Sequence, residues 1–182
     1  MDSRFRGNDG VCAMILVEAD VSEEWDSSTD WAQLAEAAVR SAVAQSDFPA
    51  LLESRLAAEV SVRFTGDDEV RGLNSDWRGK DKATNVLSFP MVEPEQLESL
   101  GRAGQGEALL GDIVLAYGVC VAEAEAKGIG IRTHAAHLVV HGMLHLVGCD
   151  HERGEAEAEA MEAAERRALA SLGIADPYEV HP

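Results

Sequence analysis

Long apolar runs are missing from this chain of 182 residues. The longest purely apolar stretch, Val11 to Val17, falls far short of the roughly 20 residues that a membrane-spanning helix requires. Basic residues are also scarce. Fifteen Lys and Arg stand against 33 Asp and Glu, and the resulting net charge of -18 creates an averaged field that repels RNA, DNA and anionic membranes. Any nucleic-acid role must then rest on a local cationic patch or on a metal ion. Cysteine is limited to Cys12, Cys120 and Cys149, which are odd in number, widely spaced and without a C-x-x-C pair. That usage points to a reduced, cytoplasmic protein rather than a disulfide scaffold. The N-terminus carries no apolar stretch of signal-peptide length.

What is present is ordinary globular composition, 46% hydrophobic and 26% charged, enough for one real core. Residues 1–13 have no periodicity and are expected to be a disordered leader, with Met14 as a candidate natural start; residues 14–182 then form a single domain. Met14 to Val21 suits a strand, and Asp30 caps a helix over WAQLAEAAVRSAVAQS, whose apolar residues recur at three and four. A short helical piece is expected over Pro49 and LLESRLAA, followed by a strand in EVSVRFT. Further expectations are a helix over Asp67 to Asn74, a loop SDWRGKDKA, a strand over Asn85 to Phe89, a polar loop from Val92 to Glu107 and a buried strand LGDIVLAY. Helices over Gly118 to Ala126, Arg132 to Val147 and Gly154 to Leu172 complete the chain, with Gly148 as the stop of the second. Strands mixed irregularly with helices predict an α+β fold, a small mixed sheet packed against helices.

Chemistry concentrates in His141-Gly142-Met143-Leu144-His145-Leu146-Val147-Gly148-Cys149-Asp150-His151. Helical positions four apart differ by about 40° and rise about 6 Å, so His141 and His145 share a face and can reach one ion. Gly148 can reverse the chain and bring in His151 as a third ligand. Three protein ligands with a fourth position left for water are the arrangement of catalytic zinc. The rival His137 is eight residues from His145, about 12 Å along the axis, too far to share an ion with it, while a pairing of His137 with His141 alone stays open. His134 and His137 read better as hydrogen-bonded core or surface residues, and Cys149 and Asp150 as neighbours pointing away from the ion.

The spacing H-x-x-x-H-x-x-G-x-x-H is also the zinc frame of metzincin proteases. Those enzymes carry a glutamate directly after the first histidine as general base, and here that position is Gly142. A metzincin-like metallopeptidase is therefore the runner-up.

A second constellation, LNSDWRGKDKATNVLSFP, places Arg78, Lys80 and Lys82 beside Trp77 in an otherwise acidic chain. A cationic patch with an aromatic face suits phosphate and unstacked bases. The plainer alternative is a solvated loop in which Asp76 and Asp81 neutralise the cations and Trp77 anchors the core.

Together LNSDWRGKDKATNVLSFP, LLGDIVLAY and HAAHLVVHGMLHLVGCDH resemble, in content and order, the YbeY family of bacterial single-strand-specific endoribonucleases. The resemblance implies an α+β fold whose zinc-binding helix lies on the sheet, with one Zn2+ per chain held by His141, His145 and His151. It implies that Arg78 is needed for RNA cleavage, and that the partners are single-stranded RNA, ribosomal RNA precursor and the small ribosomal subunit, in 3′-end maturation and quality control. Neither DNA nor a membrane is an expected partner. Two departures, Asn85 in place of Asp and Cys149 in place of an aromatic residue, touch no presumed ligand. A non-catalytic ribosome-assembly factor with structural zinc is a further alternative. The glutamates at 152, 155, 157, 159, 162 and 165 are expected to form a solvated acidic helix face. Asp112 reads either as an acceptor orienting a ligand histidine or as a turn residue.

Overall fold

Val60, Val62 and Phe64 alternate with Ser61 and Arg63 along one strand, and that period of two decides which side of the sheet is sealed. The computed structural model of the protein describes residues 15–53, 55–149 and 154–179. The expected leader, Cys12, Asp150 and His151 lie outside the described residues.

Four strands, β1 (Ile15–Val21), β2 (Arg55–Thr65), β3 (Val86–Pro90) and β4 (Gln105–Ala116), form one sheet in the order β1-β2-β4-β3. The β1–β2 and β2–β4 pairings are parallel and β3 runs antiparallel to β4, so the sheet is mixed, as expected of an α+β fold. The helices are α1 (Trp31–Gln45), α2 (Asp67–Arg78), α3 (Pro94–Ala103), α4 (Tyr117–Lys127), α5 (Ile131–Leu146) and α6 (Glu155–Ser171), with a 3₁₀ turn at Pro49–Leu52. Asp30 accepts from the Gln33 amide at 3.0 Å and starts α1. No helix among the described residues is long and apolar enough to cross a membrane.

One face of the sheet carries the main core. Val60, Val62 and Phe64 of β2 and Ile113 and Leu115 of β4 pack with Ala35, Ala38 and Val39 of α1, Val139 and Met143 of α5 and Leu169 of α6. Helix α5 is buried on almost every side, from His134 to Leu146, and so lacks a polar face. On the opposite face a smaller cluster forms where Val70 of α2 meets Leu87, Val114 and Ala116, with Leu73 and Val119 packed against it.

Two segments bordering β2 and β4 differ from expectation, as does the end of α2. Arg55 to Ala58, expected to be helical, pair in parallel with Gln105 to Ala108 and lengthen β2. The expected loop from Val92 to Glu107 contains α3, with Pro94 in its first turn and a reciprocal cap between Glu93 and Gln96.

The sheet has an irregularity that matters for the site. Between Glu59 and Val60 the register with β4 slips, and Gly111 takes a φ of 147° beside the β3 backbone. A Cβ on Gly111 would lie 2.3 Å from the Phe89 carbonyl oxygen, so only glycine fits the slip. Beyond it Asp112 lies with Val114 on the α2 side of the sheet.

Candidate functional site

Glycine brings the histidine helix down onto the sheet. A Cβ at Gly142 would sit 2.9 Å from Ile113 Cγ2, so α5 approaches β4 as closely as a residue without a side chain permits. With Gly142 against the sheet, His141 and His145 turn to the flank of α5. Their rings lie 4.6 Å apart at an interplanar angle of 78°, and their Nε2 atoms are 3.1 Å apart. That separation lies within the three to four Å expected for two nitrogens about 2.0 to 2.1 Å from one tetrahedral ion.

Behind this pair is a residue the sequence reading misplaced. Glu165 of α6 is not part of a solvated face: it is fully buried and its carboxylate binds the histidine cluster. Oε1 accepts a hydrogen bond from His141 Nδ1, and Oε2 accepts from His137 Nε2 at 3.1 Å and from the Tyr178 hydroxyl. Burial alone would raise the Glu165 pKa, but the hydrogen bonds from His137, His141 and Tyr178 outweigh it and hold the group at about 2. The signal was in the sequence. Met161, Ala164, Glu165, Ala168 and Leu169 are the buried stripe of α6, and their spacing of three and four puts Glu165 among apolar neighbours.

Two converging imidazole nitrogens are donors of the kind that zinc accepts. A ligand histidine ordinarily gives its second ring N–H to a carboxylate, which fixes the tautomer and the ring orientation, and Glu165 takes that place behind His141. Among the described residues no group of three His, Cys, Asp or Glu could hold an ion, and the third expected ligand, His151, lies outside them.

The other expectations for this helix divide. His134 and His137 are hydrogen-bonded core residues. His134 pairs with Glu123 at 3.1 Å, and burial pushes its pKa down against that partner's pull. Cys149 is half-buried, its thiol pushed up to about 11 by burial and by the negative charges of Asp47 and Glu165. Asp112 is not a turn residue: it lies in mid-strand, beside Arg63 on the α2 side, and accepts no hydrogen bond from a histidine among the described residues.

The cationic constellation is assembled elsewhere. Ser75 to Arg78, expected in a loop, are the last turn of α2, and Gly79 ends the helix at a φ of 68°. Hydrogen bonds from the Gly79 amide to the Ser75 carbonyl and from the Lys80 amide to the Asn74 carbonyl close that end. The buried Asn74 side chain donates to the Lys82 carbonyl at 2.8 Å and pins the loop that displays Lys80 and Lys82. Asp81 is held by Arg71, at 2.8 and 3.1 Å, rather than by the neighbouring lysines. Arg78, Lys80 and Lys82 are all exposed.

Trp77 is 72% exposed and anchors no core. Its ring meets Phe89 edge to face at 6.2 Å and walls a pocket of about 470 Å³ floored by Ser61, Arg63, Asp112 and Val114. The two constellations thus stand on helices that pack against opposite faces of the sheet. The edge strand β3 touches both α5 and α2.

Comparison with known proteins adds independent findings. The family described as endoribonuclease YbeY matches residues 19–173. A protein named endoribonuclease YbeY from Rhizorhabdus wittichii is 53% identical over 167 residues, 92% of this chain and 98% of its own length. Its namesake from Sphingopyxis alaskensis is 53% identical over 165 residues, 91% and 98% of the two chains. The solution structure of TM1509 from Thermotoga maritima shares the fold, with a TM-score of 0.50 at 21% identity over 92% of this chain and 100% of that one.

Proposed function

The chain belongs to the YbeY endoribonuclease family, and from that premise we propose that it cleaves single-stranded RNA at a zinc site formed by His141, His145 and His151. The observation that carries this reading is the 3.1 Å approach of the two Nε2 atoms with Glu165 behind one of them. An ion bound there supplies Lewis-acid polarisation of a phosphodiester oxygen.

The remaining work falls to the chain's own side chains. Arg78 neutralises charge that develops on the phosphate as the bond to the leaving oxygen breaks. Lys80 and Lys82 hold the flanking backbone, on a loop that Asn74 keeps in place. Trp77 offers an aromatic face on which an unpaired base stacks, a contact closed to bases already stacked in a duplex. The strand passes over the β3 edge, the element shared by the two helices. The natural substrate in this reading is ribosomal RNA precursor at its 3′ end, met on the small ribosomal subunit in the cytoplasm.

A peptidase reading loses support at Gly142. A glutamate there would direct its side chain into Ile113 rather than towards the histidine pair. The deciding experiment incubates metal-loaded and chelated protein with single- and double-stranded RNA, beside the Arg78→Glu variant purified identically. Cleavage of single strands by the loaded wild type alone is the expected result. Equal cleavage after chelation, or by the arginine variant, overturns the proposal.

A further inference from the structure

The chain's last described turn reaches the candidate metal site. Beyond α6 the backbone returns so that the Tyr178 hydroxyl donates to Glu165 Oε2, on the same carboxylate whose Oε1 accepts from His141 Nδ1. We propose that Tyr178, acting through Glu165, is a positioning residue that holds the His141 imidazole in the tautomer and orientation presenting Nε2 to the ion. This inference rests on the zinc reading above.

The allocation of donors makes the argument. A carboxylate has about four lone-pair positions, and here three donors use them in a fixed division. Tyr178 and His137 Nε2 occupy Oε2, with the His137 contact at 3.1 Å, and leave Oε1 for His141. A carboxylate held at one oxygen by two donors cannot swing about its terminal bond without breaking both. Its other oxygen therefore keeps a fixed direction. With the proton of neutral His141 on Nδ1, the lone pair is on Nε2, the atom that faces His145 at 3.1 Å.

The tail itself is latched rather than merely adjacent. The Tyr178 ring stands edge to face on His137 at 5.6 Å and 85°, and the Arg166 guanidinium lies 5.3 Å from the tyrosine ring centre. Arg166 in turn pairs with Asp176 at 3.0 Å, two residues before the tyrosine. Docking of residues 174–179 and the setting of His141 are thus bound through one carboxylate. Coupling of this kind is reciprocal: a docked tail favours metal binding, and a bound metal favours the docked tail.

The test uses the full chain as wild type, Tyr178→Phe and Glu165→Gln. Zinc affinity is measured by competition with a chromogenic chelator, the His141 tautomer by imidazole nitrogen chemical shifts, and tail docking by amide exchange at Tyr178 with and without zinc. Glu165→Gln should weaken zinc binding by about 10- to 100-fold. Tyr178→Phe, which keeps the ring and its contacts, should weaken it by about fivefold or more and should populate the other His141 tautomer. Zinc should slow exchange at Tyr178 in the wild type. Unchanged zinc affinity and tautomer in Tyr178→Phe overturn the proposal, as does a variant that melts lower yet binds zinc like the wild type, since that is a structural role only. Wild-type protein that takes up no zinc overturns the metal reading itself, a separate result from variants that bind as well as their parent.

Discussion

Gly142 and Ile113 meet across the interface of α5 and β4 so closely that a single added carbon would lie 2.9 Å from the isoleucine's Cγ2. Alanine at position 142 would gain about 1 kcal/mol of helix propensity, but forcing a methyl into this contact should remove about 1–3 kcal/mol. The expected outcome for Gly142→Ala is a net loss of about 1 kcal/mol in denaturant unfolding. Gly142→Glu should be far worse, because it buries an unpaired carboxylate against an aliphatic core. It should yield no peptidase activity, although it restores the missing letter of the protease motif. Stable, peptide-cleaving Gly142→Glu protein would contradict the packing described here.

The histidine pair and the cationic turn should separate cleanly in their effects. His145→Ala removes one of the two converging nitrogens and should abolish zinc retention through dialysis, measured by elemental analysis. Arg78→Glu changes an exposed side chain at the end of another helix and should leave zinc content intact while RNA cleavage is lost. Loss of zinc in the arginine variant would mean that the two constellations are one structural unit, against their placement on helices packed on opposite sheet faces.

How much of this was legible in the sequence depends on whether the signal was local. The α1 cap at Asp30, the alternation in β2 and the pairing of His141 with His145 all follow from spacing within a few residues, and each is present in the structure. Arg55 to Ala58 failed as a strand because its partner, Gln105 to Ala108, lies about fifty residues away and a parallel pairing leaves no nearby turn to announce it. Helix α3 failed for a different reason. Its proline and its Glu93–Gln96 cap are visible in the sequence, yet the density of charge in that stretch resembles a solvated loop. Glu165 was hidden among like residues: six glutamates in fourteen positions read as solvent-facing, and only the apolar stripe of α6 distinguishes the one that turns inward.

Trp77 gives a prediction in which stability and binding part company. Because its side chain is 72% exposed, Trp77→Ala should change unfolding free energy by no more than about 0.5 kcal/mol. Loss of one stacking platform should weaken single-stranded RNA binding by about 1–3 kcal/mol, read by fluorescence anisotropy at fixed salt. Zinc content should not move. A Trp77→Ala protein that unfolds several kcal/mol more easily would return this residue to the core-anchor role that its exposure argues against.

Cys120 ties the core to pH. Burial, with the nearby negative charges of Glu123 and Asp67, pushes its thiol up from 9.0 to about 12. A group whose folded pKa lies above its unfolded one contributes stability in full below the unfolded value and loses it as pH rises through the folded one. Between pH 9 and 12 the unfolded chain releases this proton while the native state keeps it, so stability should fall by about 1.4 kcal/mol per pH unit on account of this thiol. Cys120→Ala removes the titration, and the difference in stability between wild type and variant should shrink along that slope above pH 9 while staying flat from pH 6 to 8. The thiol should also resist alkylation in the native protein at pH 8, since the reacting species is the thiolate and burial suppresses it. Rapid labelling of Cys120 at that pH, or a difference that stays level through pH 11, would show that this residue of α4 is not buried in the core.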